Sequence, residues 1–458
     1  MRPDEITIPT EVLHDIFHLL CDEPIALHDL KNDPHFHDFP WAVGQVCRHW
    51  RRVFLSHTRL WTSFSLKPTS TFALKPGTFR TAHFVEMNRR AALYLERSGQ
   101  QPLTIDVTMP CSGTQAFPKN VWEMLLSFLK RWKKANLKLG GEAALVLDGL
   151  LRCREYMLSL ESLRVSIPHS LAPMQYNAFQ IAPRLTELDL VAHFECGRWQ
   201  FPWSQLTKLK MSCKEFGDFY SNNMWGVLSQ LENIEQLHVI TTFHRIMPHS
   251  QLPIIRLPGL RLLEISLTFA TMFSWFTAPL LEHLHLHGFT TPPYDWLHNN
   301  QPYEREITSL IQRSSCHIRR LALDNCRTEE IRRVMKALTS VEELSITYPR
   351  STRDVIQDVT GLEGGIFLPK MRVLQVRTLG IHGNLVEKAV TAISHLLEAR
   401  GKRLSLPNHD IAPLEKFVIW LTIRGNFPDE VLEAMHSWPS CAQVYINDSA
   451  LERLTPSL

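Results

Sequence analysis

The chain has 458 residues, of which 44% are hydrophobic and 21% are charged, values typical of a folded protein of two or three domains. The net charge of +3 excludes a general attraction to nucleic acid, and the sequence lacks the apolar run of about 18 residues that a membrane span needs. The nine scattered cysteines form no CxxC pair, which excludes a zinc ribbon and a disulfide scaffold. The polar start MRPDEITIPT is unlike a secretory signal, so we expect a cytoplasmic and/or nuclear location.

The first predicted module spans residues 1–66 and contains two amphipathic helices. At about 100° per residue, the apolar residues of the first helix sweep about 160°, whereas a surface helix needs a stripe of only about 100°. These residues are Val12, Leu13, Ile16, Phe17, Leu19 and Leu20. A second helix is predicted after Pro40, with Trp50 and Phe54 on its apolar side. A segment of about 60 residues buries little surface by itself. We therefore expect the excess apolar face to dock on the rest of the chain or on another protein.

Three blocks of this module resemble an F-box, in the order that the family has them. IPTEVLHDIF resembles its LPxEIL..IF opening, VCRHWR resembles its VCRxWR segment, and LW at 60–61 resembles its closing pair. The resemblance implies a small all-α domain that binds Skp1, the adaptor of SCF ubiquitin ligases. The residues that it implies make or closely support this contact are Pro9, Leu13, Ile16, Phe17, Val46, Cys47, Trp50 and Leu60. The alternative is an ordinary helical cap on the following domain.

Residues 67–150 are predicted to contain a linker followed by transition helices and strands. A helix is predicted over 82–98, with Gly99 as its stop, and a short alternating strand over 102–107. Another helix is predicted over 121–134, and its last residues are the basic cluster KRWKK. We interpret these cations as complementing the dipole at the end of that helix. A contact with phosphate or with an anionic membrane is the alternative.

Residues 151–458 contain ten copies of one phrase, apolar-x-x-apolar-x-apolar. The copies begin at residues 160, 185, 206, 234, 260, 281, 318, 341, 371 and 414. Their alternation predicts strands, and because one such unit cannot cover its own apolar face, neighbouring units are expected to stack. The pattern resembles irregular leucine-rich repeats. At the ninth position, where that family has Asn or Cys, only Cys326 fits, so we expect no continuous asparagine ladder. A non-repeating α/β domain with Leu-rich strands is the alternative.

The predicted fold class is therefore α/β, with a small all-α F-box followed by an irregular leucine-rich-repeat solenoid that has one curved parallel sheet. The two resemblances imply a substrate-recognition adaptor of an SCF-type (Skp1–cullin–F-box) E3 ubiquitin ligase, not an enzyme. Its expected partners are a Skp1-like adaptor, through it a cullin scaffold, and an unknown protein client, with no nucleic acid and no membrane. No cofactor and no metal are expected. The alternative function is a leucine-rich-repeat interaction or scaffold protein without a ligase role.

One short motif carries a competing, enzymatic hypothesis. His14 and His18 resemble the HExxH motif of zinc proteases, with Asp in place of Glu, and Cys21 follows close by. His35 and His37, in the insert between the two helices, are a second histidine pair. We interpret His14 and His18 as surface residues, because Asp is one methylene shorter than the Glu that activates water and because the motif lies inside the F-box match, where polar residues face solvent. We interpret His35 and His37 as loop residues, because no further ligand pattern accompanies them. The sequence contains no GxxxxGK[ST] loop and no GxSxG elbow, so no catalytic residue is predicted.

Overall fold

The computed structural model describes residues 8–20, 25–26, 46–67, 69–70, 78–109, 115–116, 119–140, 143–167, 177–192, 199–213, 220–241, 253–288, 303–326, 328–348, 368–382, 390–391, 394, 397–398, 412–424, 438 and 442–446. The chain divides into two compact units, Met1–Met211 and Ser212–Leu458. None of the described helices is long and apolar enough to cross a membrane.

The first unit combines five described helices with strands that run mostly in parallel. The helices are α1 (Thr10–Leu20), α2 (Arg48–Ser56), α3 (Thr78–Arg97), α4 (Lys119–Ser127) and α5 (Ala143–Arg152), with 3-10 turns at Thr58–Trp61, Leu129–Arg131, Arg154–Tyr156 and Trp203–Gln205. The strands are β1 (Ile25–Ala26), β2 (Ser63–Leu66), β3 (Thr69–Ser70), β4 (Leu103–Thr108), β5 (Gln115–Ala116), β6 (Trp132–Lys138), β7 (Ser162–Ile167), β8 (Glu187–Ala192) and β9 (Lys208–Cys213), within which the unit ends. Parallel ladders join β1 to β2, β2 to β4, β4 to β6, β6 to β7 and β7 to β8, while β3 and β5 form an antiparallel pair.

Aromatic side chains connect the N-terminal helices to the rest of the first unit. Phe17 of α1 is buried, and its ring lies edge-on to Trp50 at 5.5 Å and to Phe54 at 5.9 Å, both on α2. Phe54 then contacts Trp61 at 4.8 Å between ring centroids, and Trp61 contacts Tyr94 of α3 at 5.2 Å. Such aromatic pairs contribute about 0.5–1.5 kcal/mol each beyond the area they bury. They fix α1 and α2 against each other and against α3.

The second unit repeats a parallel strand with a helix or an irregular return. Its described helices are α6 (Tyr220–Leu228), α7 (Tyr303–Ser314) and α8 (Thr328–Ala337), and a 3-10 helix covers Leu267–Trp275. Its strands are β10 (Gln236–Thr241), β11 (Ile255–Arg256), β12 (Leu262–Ser266), β13 (Phe276–Thr277), β14 (His283–His287), β15 (Arg320–Asp324), β16 (Glu343–Tyr348), β17 (Val373–His382), β18 (Lys416–Arg424) and β19 (Ala442–Ile446). Strands β10, β12 and β14 to β19 form consecutive parallel ladders, and β11 pairs with β13.

Alternation along each strand decides which face is buried. In β14, Leu284 and Leu286 are buried while the histidines on either side of them are not. The neighbouring strands follow the same pattern, because their Leu and Ile side chains meet in register on one face. Parallel sheets normally have apolar side chains on both faces, so the polar second face of these strands is the unusual feature of the unit.

The α/β class and the parallel strands are confirmed. All ten phrases form strands, β7 to β10, β12, β14 and β15 to β18, and each strand begins at the third residue of its phrase. The predicted helix over 82–98 is α3, and Gly99 follows it with φ of 55°, in the left-handed region that glycine tolerates. The identities of the F-box and of the leucine-rich repeats stay predictions, as do the boundaries at residues 66 and 150. Strands β4 and β6, which lie between those boundaries, join the same series of ladders as β7.

The prediction of one helix over 121–134 is wrong in its second half. α4 ends at Ser127, a 3-10 turn follows, and Trp132 begins β6. The ladder between β4 and β6 shifts register, since Leu103 pairs with Trp132 but Thr104 pairs with Lys134. Lys133 is thus an extra residue, a bulge. It separates the buried Trp132 and Ala135 by three positions, which is the spacing of a helix face.

Candidate functional site

Five titratable side chains meet on the polar face of the second unit. We call this group the histidine–carboxylate cluster; it consists of His238, Glu264, His285, His287 and Asp324. It draws on four adjacent strands, β10, β12, β14 and β15. The parallel register sets His238 beside Glu264 and Glu264 beside His285 in one row, and His287 beside Asp324 in the next row. Side chains two residues apart on a strand share a face, so both histidines of β14 reach the same neighbours.

Both carboxylates are bonded to imidazole nitrogens. Glu264 accepts short hydrogen bonds on both oxygens, one from His238 Nδ1 on Oε2 and one from His287 Nε2, which lies 2.6 Å from Oε1. His285 Nε2 lies 2.8 Å from Asp324 Oδ2, and its Nδ1 lies 3.7 Å from Glu264 Oε1. The rings of His285 and His287 are 4.2 Å apart between centroids. The result is one connected network.

The environment keeps both carboxylates ionised. Burial of Glu264, whose side chain is 14% exposed, works to raise its pKa, but the hydrogen bonds from His238 and His287 lower that pKa far below the ordinary value. The pKa of Asp324 is also lowered, because hydrogen bonds from His285 and Thr347 outweigh the effect of burial. Two negative charges therefore lie among three imidazoles in a partly dehydrated place. Such a group can bind a cation.

One side of the cluster borders a shallow depression of about 230 Å³. His285 lines it together with His283, Arg320, Glu343 and Gln375, all on the same strand face. Burial and the nearby Arg320 lower the pKa of His283, so this third histidine of β14 favours the neutral form. His283 makes no described contact with the two carboxylates of the cluster. The depression gives solvent or a small polar ligand access to His285.

The eight residues predicted to make or support a Skp1 contact divide by exposure. Leu13, Phe17 and Leu60 are buried in the first unit's own core. Pro9, Val46 and Cys47 are exposed, and Ile16 and Trp50 are half-buried. The Sγ of Cys47 accepts a hydrogen bond from the backbone N–H of Trp50 at 3.4 Å and so caps the start of α2. Only the exposed and half-buried residues of the eight can contact a partner directly.

Helix α1 carries two apolar stripes. The inner one contains Leu13 and Phe17, both buried. The other, which we call the outer stripe, consists of Val12, Ile16 and Leu19, which share a face because they are four and three residues apart. Val12 is 46% exposed and Leu19 is 76% exposed. The predicted excess of apolar surface is therefore present, and it lies on the outer stripe.

The structure describes part of the histidine motif on which the enzymatic hypothesis depends. His14 is half-buried, not a surface residue: its ring stacks on His57 at 4.1 Å, and its buried Nε2 has no hydrogen-bond partner among the described residues. The side chain of His18, together with Cys21, His35 and His37, lies outside the described residues. In the portion of the chain that the structure describes, the metal-ligand geometry is met by Glu264, His285 and His287, not by His14.

The basic cluster KRWKK does not lie at the end of an α-helix. Arg131 is held inside the first unit by the carbonyl of Gln101 at 2.9 Å and the Oγ of Ser98 at 2.6 Å. Trp132 is buried. Lys130 lies over the ring of Tyr156 at 4.9 Å. The interpretation as dipole-complementing cations is therefore wrong, because the chain turns into β6 at this point and these side chains serve packing and turn hydrogen bonds.

Sequence reasoning missed the histidine–carboxylate cluster. The available signal was the string HLHLH at 283–287, in which every second residue is a histidine. In a strand that spacing puts all three imidazoles on one face. The partners Glu264 and Asp324 come from separate phrases, and only the register of the ladders brings them close.

Comparisons with known proteins do not identify a family for this chain. No protein-family model matches the chain, and no curated protein sequence is similar to it. Among solved structures, the chain is similar to a crystal structure of a protein from Bacteroides fragilis, with 12% sequence identity over 74% of this chain and 78% of that chain. The TM-score of 0.30 is too low to support any argument.

Proposed function

We propose that this protein is an adaptor that docks through α1 and α2 on a Skp1-like protein and presents its repeats to a protein client. In that role it is the substrate-recognition subunit of an SCF-type ubiquitin ligase, and a cullin scaffold joins through Skp1. The ligase chemistry belongs to partner subunits. The observation that carries the proposal is the outer stripe of α1, since a helix that is already anchored in its own unit has no structural need for Val12 and Leu19 at exposed positions.

The outer stripe can supply the apolar centre of an interface. Full burial of a Val or Leu side chain contributes about 1.5–3 kcal/mol before the costs of association. Val46, which precedes α2 and is 58% exposed, and the half-buried Trp50 of α2 add to this apolar area. Buried below them, Leu13 and Phe17 hold α1 on α2. They support the contact without making it.

Charge on α2 favours a partner with an acidic rim. The sequence of α2, RHWRRVFLS, contains Arg48, Arg51 and Arg52 and no acidic residue. Complementary charge at the edge of an interface mainly raises the association rate and makes it sensitive to salt. The proposal therefore predicts that association with Skp1 slows as ionic strength rises.

The repeats support the recognition half of the proposal through one residue of the family pattern. Cys326 occupies the ninth position of its phrase, is buried, and donates from Sγ to the carbonyl of Leu286 at 3.7 Å. It thereby bonds across to the preceding repeat, from β15 to β14. The leucine-rich-repeat resemblance implies an Asn or Cys at this position.

The test is direct binding of the full chain to purified Skp1, measured by titration calorimetry. We expect the wild type to bind, and Val12→Asp with Leu19→Asp to lose at least about tenfold in affinity, because two charges then enter an apolar interface centre. The matched control is Val85→Asp, an exposed apolar residue (60%) on helix α3, which is expected to bind as the wild type does.

One result contradicts the ligase role: a folded wild type that does not bind Skp1 would favour the alternative, an interaction or scaffold protein without a ligase role. Another contradicts the docking surface: equal binding by wild type and the double variant would place the Skp1 contact elsewhere than on the outer stripe.

A further inference from the structure

We propose that Glu264, His285 and His287 bind a divalent transition metal ion, with Zn²⁺ as the ion that suits the donor set, at a site on the polar face of β12 and β14. This inference does not depend on the adaptor role. It begins from three donor atoms, one carboxylate oxygen and two imidazole nitrogens, that all lie within 4.8 Å of one another. Two histidines and a carboxylate are a ligand set that zinc sites use.

The distances are close to those of coordination. Zn–N and Zn–O bonds of about 2.0–2.2 Å in a tetrahedron separate neighbouring ligand atoms by about 3.4 Å. Glu264 Oε1 and His285 Nδ1 lie 3.7 Å apart, near that value. Glu264 Oε1 and His287 Nε2 lie 2.6 Å apart, bridged by a hydrogen bond. When the ion binds, His287 Nε2 gives up that bridging proton and Nδ1, which lies 3.8 Å from Asp324 Oδ2, takes one up, so that the ring stays neutral while Nε2 and Oε1 move apart to ligate the ion.

Outer partners already orient two of the three ligands, and this is the strongest argument for the site. His285 Nε2 lies 2.8 Å from Asp324 Oδ2, so Nε2–H donates to a carboxylate and the lone pair of Nδ1 is left for an ion. Histidines that bind metals almost always donate their other ring nitrogen in this way. Glu264 keeps Oε1 for the ion, while its Oε2 accepts a hydrogen bond from His238 Nδ1.

The charge of the cluster and its access to solvent also suit a metal ion. With neutral imidazoles the cluster carries two negative charges, which a divalent cation neutralises. The side chains of Glu264 and His287 are 14% and 20% exposed, which reduces competition from bulk water. His285 borders the depression of about 230 Å³, so a water molecule or a small polar ligand can complete the coordination sphere. Three protein ligands and one open position are typical of metal sites that bind or activate a ligand.

The experiment measures Zn²⁺ bound by the purified full chain, by calorimetry and by elemental analysis after dialysis. We expect one ion per chain. His287→Ala removes a ligand and is expected to weaken binding at least about 100-fold. Glu264→Gln removes the charge of a ligand and is expected to weaken binding at least about tenfold, and Asp324→Asn, which loosens an outer partner, about 10–100-fold. His283→Ala is the matched control, because His283 lies on the same strand face but outside the cluster.

Cobalt gives an independent readout, since Co²⁺ bound to nitrogen and oxygen ligands absorbs visible light with an intensity that reports its geometry. We expect wild type and His283→Ala to show the same Co²⁺ spectrum, and His287→Ala to lose it, while circular dichroism confirms that each variant is folded. Absence of stoichiometric Zn²⁺ in the wild type would overturn the site. So would binding that Glu264→Gln, His287→Ala and Asp324→Asn all leave unchanged, because the ion would then lie elsewhere.

Discussion

Helix α1 and strand β14 each bury one face in their own unit, and they differ in what the other face carries. α1 buries Leu13 and Phe17 and leaves the apolar Val12 and Leu19 exposed. β14 buries Leu284 and Leu286 and presents three histidines. The two buried faces are alike, because both consist of aliphatic or aromatic side chains that hold the element in place. The two free faces differ and suit different ligands: an apolar protein surface for α1 and a cation for β14.

The buried faces of α1 and β14 stabilise the fold, and their free faces are available for binding. We therefore expect substitutions on a buried face to reduce stability, and substitutions on a free face to reduce binding while the fold survives.

The first unit offers a reference for ordinary polar faces. There, Asn136 donates to Asp106 at 3.0 Å and Arg164 lies 3.3 Å from Asp189, pairs of adjacent strands with no histidine. The concentration of imidazoles in the second unit is therefore not a requirement of the strand architecture.

The largest expected effect comes from the two stripes of α1. Phe17→Ala removes a buried ring that contacts Trp50 and Phe54, and we expect it to lower the free energy of unfolding by about 3–5 kcal/mol. Leu19→Ala, on the outer stripe, is expected to change it by less than about 0.5 kcal/mol. Urea unfolding followed by tryptophan fluorescence measures both. Comparable losses for the two variants would show that the outer stripe is also packed, and the comparison would fail.

A smaller effect is expected where β14 ends. A Cβ on Gly288 would meet the backbone oxygen of Asn325 at 2.3 Å, so Gly288→Ala forces the chain after β15 to move. We expect the free energy of unfolding to fall by about 1–3 kcal/mol. Zn²⁺ binding should also weaken, because the backbone N–H of Gly288 donates to the backbone carbonyl of Asp324 at 2.8 Å, so Asp324 would shift. Thermal unfolding and calorimetry measure the two effects.

Gly226→Ala is the matched control for that variant. Nothing lies within 4 Å of the added Cβ, and Gly226 is in helix α6, so we expect stabilisation of up to about 1 kcal/mol. Zn²⁺ binding should not change. A Gly288→Ala variant as stable as Gly226→Ala would contradict the close approach of the two chain segments.

The smallest expected effect concerns charge on an ordinary surface. Hydrogen bonds from Arg89 and Arg90 lower the pKa of Glu86 on α3 from 4.5 to about 2, against the raising effect of burial. Because the folded pKa is the lower one, the stabilisation is present above pH 4.5 and is lost as the pH falls towards 2. The side chain is 40% exposed, so solvent screening keeps the contribution below about 1 kcal/mol.

The measurement is urea unfolding of wild type and Glu86→Gln as a function of pH. The difference between their free energies of unfolding should be largest near neutral pH and should shrink steadily below about pH 4.5, where the carboxylate in the unfolded chain begins to bind a proton. Added salt should reduce it as well. A difference that grows on acidification would contradict the assigned ion pairs.

How far the sequence predicts this molecule depends on whether the signal is local. The ten phrases became strands because alternation is read within six residues. β6 was missed because its bulge at Lys133 interrupts that alternation. The α1 surplus was predictable from one helix wheel. The histidine–carboxylate cluster was not, because Glu264 and Asp324 lie 23 and 39 residues from their histidines, and only the ladder register joins them.

The most direct test of the account is amide hydrogen exchange on the full chain with and without Skp1, resolved along the sequence. The account predicts that Skp1 slows exchange in α1 and α2, residues 10–20 and 48–56, and leaves the strands of the second unit unchanged. A complex that forms with no protection in those two helices would contradict the central claim, since the exposed apolar face of α1 would then have no part in binding.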